Sequence, residues 1–435
     1  MSMFLRGGAV VAASVVLGLM GAAPATAGPH AFHRYAPAGC SENAGEPGKV
    51  ITQTPWQQQW LAPERVWPFS TGAGVRVAVI DSGTDASHPQ LKGHVERGFD
   101  MLSNGAGGDV DCNSHGTAVA SIIAAQRKPG IGFVGLAPDA DILPIRVSER
   151  EADGDKGQGE SVLPERFAEA IRKAVDSGAT VINLSVTLYQ NFPVVEDAVK
   201  YAVGKDVVLV AAAGNLHQNG KPDPVPYPAA YDGVIGVGAI DQNGARVEKS
   251  QIGKYVDIVA PGDQVVAATR VSGHNYWIGT SFATPMVSAT VALMRSAEPK
   301  LSAAQVTQRL LATADPAHGG AAQGYGQGVV DPYRAVTERL TDAPAQAPQA
   351  LPAVPNDPAR AARAARWATI GQAGMWVALG LVAAALLVAV VALLAQFGRR
   401  RRWQPTRTAT GPERPPAESD DPEEVFFRVP TAPMG

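Results

Sequence analysis

Three short words in the chain bring together a carboxylate, an imidazole and a hydroxyl, the groups that nucleophilic catalysis uses. Asp81 follows the apolar run VRVAVI (75–80) and precedes Ser82-Gly83. His115 lies in DCNSHGTAVASIIAA, at the head of an apolar helix with small residues behind it. Ser281 lies in WIGTSFATPMVSATVALMRS (277–296). A helix interior has no use for Gly279 or Pro285, so this segment reads as a turn feeding a helix N-terminus. Free backbone N–H groups and the helix dipole favour negative charge there, which suits a serine that must carry an oxyanion. Each residue also has an ordinary reading: a turn-forming aspartate, a surface histidine, a helix-capping serine. As a set they make a mechanism. A serine hydroxyl is a weak nucleophile at neutral pH, so His115 would take its proton and later return it to a leaving amine. Asp81 would hold the imidazole in the needed tautomer.

Such groups need a rigid frame, and the texture from about 63 to 340 supplies one. Near-continuous apolar strands are expected at 75–80, 140–147, 180–186, 207–214 and 233–240. Amphipathic helices fall between them, in LPERFAEAIRKAVDSGA and PVVEDAVKYAVGKD. Alternating units of this kind predict an α/β fold, a mostly parallel sheet with helices on both faces. Sites in such sheets form at the carboxyl ends of strands.

The chain has 435 residues, 46% of them hydrophobic, and a formal net charge of −3, which makes no electrostatic case for nucleic acid. Residues 1–27 read as a signal peptide, with Arg6, an apolar run and Ala25-Thr26-Ala27 before the cut. Residues 28–62 form a polar N-terminal extension, and the Pro/Ala-rich stretch 341–372 is a linker. Residues 373–395 carry no charge and would reach roughly 34 Å as a helix, enough for a hydrocarbon core of about 30 Å. Four arginines follow at 399–402. A transmembrane helix at 373–397 with a cytoplasmic disordered tail at 398–435 is therefore expected, the catalytic domain at 63–340 lying outside the cytoplasm. Of the two cysteines, Cys40 and Cys112, an exported chain would most simply make a disulfide tying the extension to the region before His115. Two free thiols or a metal pair are the alternatives, although two cysteines without neighbouring histidines make a poor zinc site.

The words VIDSG, HGT and GTSFATP, in that order, resemble the subtilisin-like serine proteases (peptidase family S8), as do YPAAYDGVIGVGAID, VDIVAPG and GYGQGVVDPYRA. The likeness spans roughly residues 63–340. It implies the Asp81, His115 and Ser281 triad, and an oxyanion hole shared by the Ser281 N–H and the side chain of Asn215. It also implies an edge strand for the substrate at Gly157, Gln158 and Gly159. The pocket for the residue before the scissile bond would lie between Asn183-Leu184-Ser185 and residues 211–214, with Ser185, Val186, Thr187, Ala213 and Gly214 at its rim. Many subtilisins have a bulky residue and two glycines after that serine, whereas this chain has Val186-Thr187-Leu188. Side chains on formerly open backbone are expected to narrow the pocket and favour small residues such as Ala. Calcium is frequent in the fold, but no run resembles a dedicated loop, and no metal or cofactor is called for.

An exported subtilisin with a short extension, a cysteine in it paired near the histidine, a Pro/Ala linker and a C-terminal anchor resembles a mycosin, the membrane-anchored protease of actinobacterial type VII secretion systems. That likeness implies proteolysis of secreted proteins beside a membrane complex. Two other readings stay open: a structural component of such a complex with secondary protease activity, and a general cell-surface subtilisin.

Overall fold

The computed structural model describes residues 47–103, 107–149, 162–317, 319–340 and 378–396, with isolated helical positions at 366 and 376. Seven strands form one parallel sheet: β1 (Arg76–Asp81), β2 (Phe99–Asp100), β3 (Asp141–Arg146), β4 (Val181–Leu184), β5 (Val208–Ala212), β6 (Val234–Ile240) and β7 (Ile258–Pro261). Their spatial order is β2-β3-β1-β4-β5-β6-β7. The chain leaves β1 toward one edge and returns to build the other from β4, so β1 and β4 flank the point where the winding reverses. A crevice opens at the carboxyl ends of strands at such a point. The expected strands are matched to within two or three residues at their ends.

Side-chain alternation divides the core. Val77 and Val79 of β1, Val181 of β4 and Val208 and Val210 of β5 turn to one face, against α2 (His115–Ala124) and α5 (Thr280–Ala297). Ala78, Ile80, Ile182, Leu184, Leu209 and Ala211 turn to the other, against α3 (Pro164–Asp176) and α4 (Pro193–Gly204). Each strand is buried on both sides, which explains its unbroken apolar run. Every fully buried Val, Leu or Ile contributes about 1.5–3 kcal/mol of transfer free energy.

An antiparallel hairpin, β8 (Val265–Ala268) and β9 (His274–Trp277), leads directly into α5. The extension runs across this hairpin. Lys49 pairs with His274, their reciprocal N–H···O bonds measuring 3.0 and 2.8 Å, and the short helix α1 (Trp56–Leu61) donates from the Gln57 amide to Val266 O at 2.8 Å. α6 (Ala303–Ala312) and α7 (Pro332–Thr337) complete this unit. Separately, α8 (Ala378–Gln396) is a 19-residue helix long and apolar enough to cross a membrane.

Candidate active site

Asp81 is the last residue of the buried strand β1, and His115 the first of the fully buried helix α2. The two meet at 2.6 Å, Asp81 Oδ1 to His115 Nδ1. A carboxylate only accepts, so Nδ1 carries the proton and Nε2 is the basic nitrogen. Asp81 Oδ1 also accepts the Ser82 N–H at 2.7 Å, which fixes the carboxylate plane. Gly116 makes the approach possible: a Cβ there would stand 1.9 Å from Gly83 O.

The head of α2 is held by a residue that sequence reasoning passed over. Asp111, buried, accepts from the backbone of Asn113, Ser114 and Thr117 at 3.0, 3.1 and 2.8 Å, and from the Ser82 and Thr117 hydroxyls at 2.9 and 2.6 Å. Burial pushes its carboxyl upward and these donors act against that. Ser114 adopts a left-handed conformation (φ 75°), so the cap comes from Asp111, three residues before it. An aspartate just ahead of an apolar helix was the available signal.

Ser281 stands in the first turn of α5. The ring of the next residue, Phe282, lies 5.1 Å from the imidazole. The Ser281 hydroxyl donates to Ser185 O at 3.2 Å. Gly279, the N-cap, has φ 136°, a conformation open to glycine, and a Cβ there would lie 3.2 Å from Asn215 Nδ2. Asn215 follows the end of β5, and its amide oxygen accepts from Thr280 twice, from the N–H at 2.9 Å and the hydroxyl at 3.1 Å. The backbone N–H can only donate, so oxygen must face Thr280 and the Nδ2 donors turn away from it, alongside Gly279. The Thr280 hydroxyl also accepts the Gly214 N–H at 3.2 Å. Thr280 thus orients the candidate oxyanion donor.

Pro285 lies inside α5, against the expectation that a helix interior would exclude it. The Ser281 carbonyl, which lacks its usual partner four residues on, accepts instead from the Ser185 hydroxyl at 2.8 Å. Ser185 is steadied by Asn183 Nδ2 at 3.0 Å, and Asn183 in turn by the Ser288 hydroxyl at 2.8 Å.

The remaining expected site residues divide. Ala213 and Gly214 continue β5 past its end, and Ala213 buries its methyl in a small cluster with Ile240 and Val256. Val186 packs against the core, while Thr187 is half-buried. Cys112 is not a free thiol. Cys40 and Gly157, Gln158 and Gly159 lie outside the described residues.

The sequence pattern of the Subtilase family (Peptidase_S8) matches residues 72–328. A thermophilic serine proteinase of Bacillus sp. is 38% identical over 273 residues, covering 62% of this chain and 64% of that protein. Mycosin-1 of Mycobacterium tuberculosis is 35% identical over 354 residues, covering 71% of this chain and 79% of the relative. The chain belongs to the subtilase family, on its mycosin side. The crystal structure of MycP1 from the ESX-1 type VII secretion system superposes on this subtilase with a TM-score of 0.60 at 30% identity, covering 69% of this chain and 92% of that one. Like its relatives, the subtilase is a subtilisin-like serine protease, and its substrates are proteins or peptides.

Proposed function

We propose that this subtilase is a membrane-anchored, extracytoplasmic serine endopeptidase working through an Asp81-His115-Ser281 triad and an acyl-enzyme. The observation that carries this reading is the 2.6 Å Asp81–His115 bond, with Phe282, from the helix turn that holds Ser281, packed 5.1 Å from that imidazole. His115 Nε2 takes the Ser281 proton as Oγ attacks the scissile carbonyl, and Asp81 stabilises the imidazolium that forms. The long bond from Ser281 to Ser185 O leaves the hydroxyl free to turn toward the imidazole. The developing oxyanion is met by the Ser281 N–H, favoured by the α5 dipole, and by Asn215 Nδ2, already oriented by Thr280. His115 then protonates the leaving amine, and water releases the acyl group by the same steps.

The proposal extends to the rest of the chain. Residues 1–27 direct export, Cys40 and Cys112 pair, residues 157–159 take up the substrate as an added strand, and the helix around 378–396 anchors the enzyme with its tail in the cytoplasm. Relatives from type VII secretion systems support the processing of proteins exported by such a system, in contact with its membrane complex. Fluorophosphonate labelling of the membrane-extracted protein tests the chemistry. Labelling of wild type, lost in Ser281→Ala and His115→Ala, is the expected result. A folded wild type that fails to label overturns it.

A further inference from the structure

β4 and β5 run side by side as far as the pair Leu184 and Ala211, and beyond it their chains part. Ser281 sits over the gap. Its hydroxyl and carbonyl are bonded to Ser185 on one side, while Thr280 beside it holds Asn215 on the other. An acyl group with its carbon at Ser281 Oγ and its oxygen at the Asn215 amide must therefore drop its side chain between residues 185–189 and 213–215.

On the first of these walls, side chains divide between the core and the gap. Val186 and Leu188 pack against the core, and Leu188 is pinned there by a reciprocal backbone pair with Tyr227, both bonds 2.7 Å. The Ser185 hydroxyl reaches Ser281, and Tyr189 reaches the far wall: its hydroxyl lies 3.0 Å from where a Cβ on Gly214 would stand. Behind it, the Gln251 carboxamide fills the rest of the Gly214 face and is itself held, its Nε2 donating to Pro224 O at 2.6 Å and the Tyr255 hydroxyl at 3.3 Å. The Tyr189 phenol has no room to retreat in that direction. It is 43% exposed, as a bar across the mouth of a crevice would be.

We infer that Tyr189 is the residue that limits the side chain before the scissile bond to small groups such as the methyl of Ala. This rests on the protease reading above. A Leu or Phe side chain would have to displace a phenol that stands against Gly214, the residue before the oxyanion asparagine. The narrowing expected from Val186, Thr187 and Leu188 is thus carried chiefly by the next residue in the chain.

The test uses the full chain in detergent and peptides that differ only at that position, carrying Ala, Leu or Phe. Rates are normalised to the sites labelled by fluorophosphonate. Wild type should favour Ala over Phe by about tenfold or more in kcat/KM, and Tyr189→Ala should raise the Phe-to-Ala ratio by at least about tenfold, within the range that pocket size supplies. An unchanged ratio in a variant that still labels overturns the inference alone. A wild type that does not label overturns the protease reading and this inference with it. A second readout needs no variant: peptide aldehydes ending in Ala or Phe compete with labelling of wild type. Stronger protection by Ala supports the role of Tyr189, and equal or weaker protection overturns it.

Discussion

The carbonyl oxygen of Ser281 accepts the Ser185 hydroxyl at 2.8 Å because Pro285, four residues along α5, has no N–H to offer it. A helix-breaking residue thus converts an intrahelical bond into a bond between α5 and the end of β4. The consequence is positional. The first turn of α5, which carries Ser281, is tied to the end of β4, a wall of the crevice proposed for the substrate.

Pro285→Ala restores a competing donor for the Ser281 carbonyl. Ser185→Ala in the wild-type background leaves that buried carbonyl without its donor, a loss of about 1–3 kcal/mol. In the Pro285→Ala background the same substitution should cost less, since the helix can supply the bond. A double-mutant cycle by urea unfolding, with labelling rates alongside, measures the coupling. Additive effects would refute this account of Pro285.

Asp81→Asn keeps the size of the side chain while offering a donor to His115 Nδ1. The imidazole then favours the tautomer with its basic nitrogen away from Ser281, and kcat should fall about 10⁴-fold. Peptidase assays with matched circular dichroism would check this, and a fall below tenfold would remove Asp81 from the mechanism.

Asn215→Ala should lower kcat by about 10²–10³ with little change in KM, the pattern of a donor used mainly in the transition state. Thr280→Val keeps the backbone N–H bond to Asn215 and removes only the hydroxyl bond. Its expected loss is smaller, about tenfold, the worth of one bond of about 1.4 kcal/mol. Steady-state kinetics on one peptide series separates the two.

Stability should depend on pH through the hairpin that precedes Ser281. Burial holds the His274 imidazole down to about 4, against 6.5 in the unfolded chain. Its Nε2 meets Gln90 Oε1 at 2.6 Å, its other face meets the Lys49 backbone, and His88, also lowered by burial, packs against it. The unfolded state takes a proton that the folded state refuses, so stability present above about pH 6.5 is lost as pH falls toward 4. The Tm at pH 5 should lie below that at pH 7.5 by about 2–4 °C or more, the shift for each kcal/mol in a domain of this size. His274→Gln should flatten this dependence, leaving the part due to His88. Differential scanning calorimetry across the range decides it.

What the sequence determined by itself was whatever is local. An aspartate ending an apolar strand, a histidine opening a small-residue helix and a serine after Gly-Thr are all visible as spacing, because strand ends and helix starts are written in neighbouring residues. The parallel sheet was legible for the same reason: strands buried on both faces need unbroken apolar runs, and Val77 and Ile80 show this from opposite sides of β1. Tertiary structure decided the rest. That Asp111 caps α2, that Thr280 aims Asn215, that Val186 turns inward and Tyr189 across the gap, and that Pro285 is useful inside a helix all depend on groups far apart in the chain. Hydrogen bonds to a buried carbonyl or amide have no sequence signature of their own, since the partner is chosen by which strand ends beside which helix.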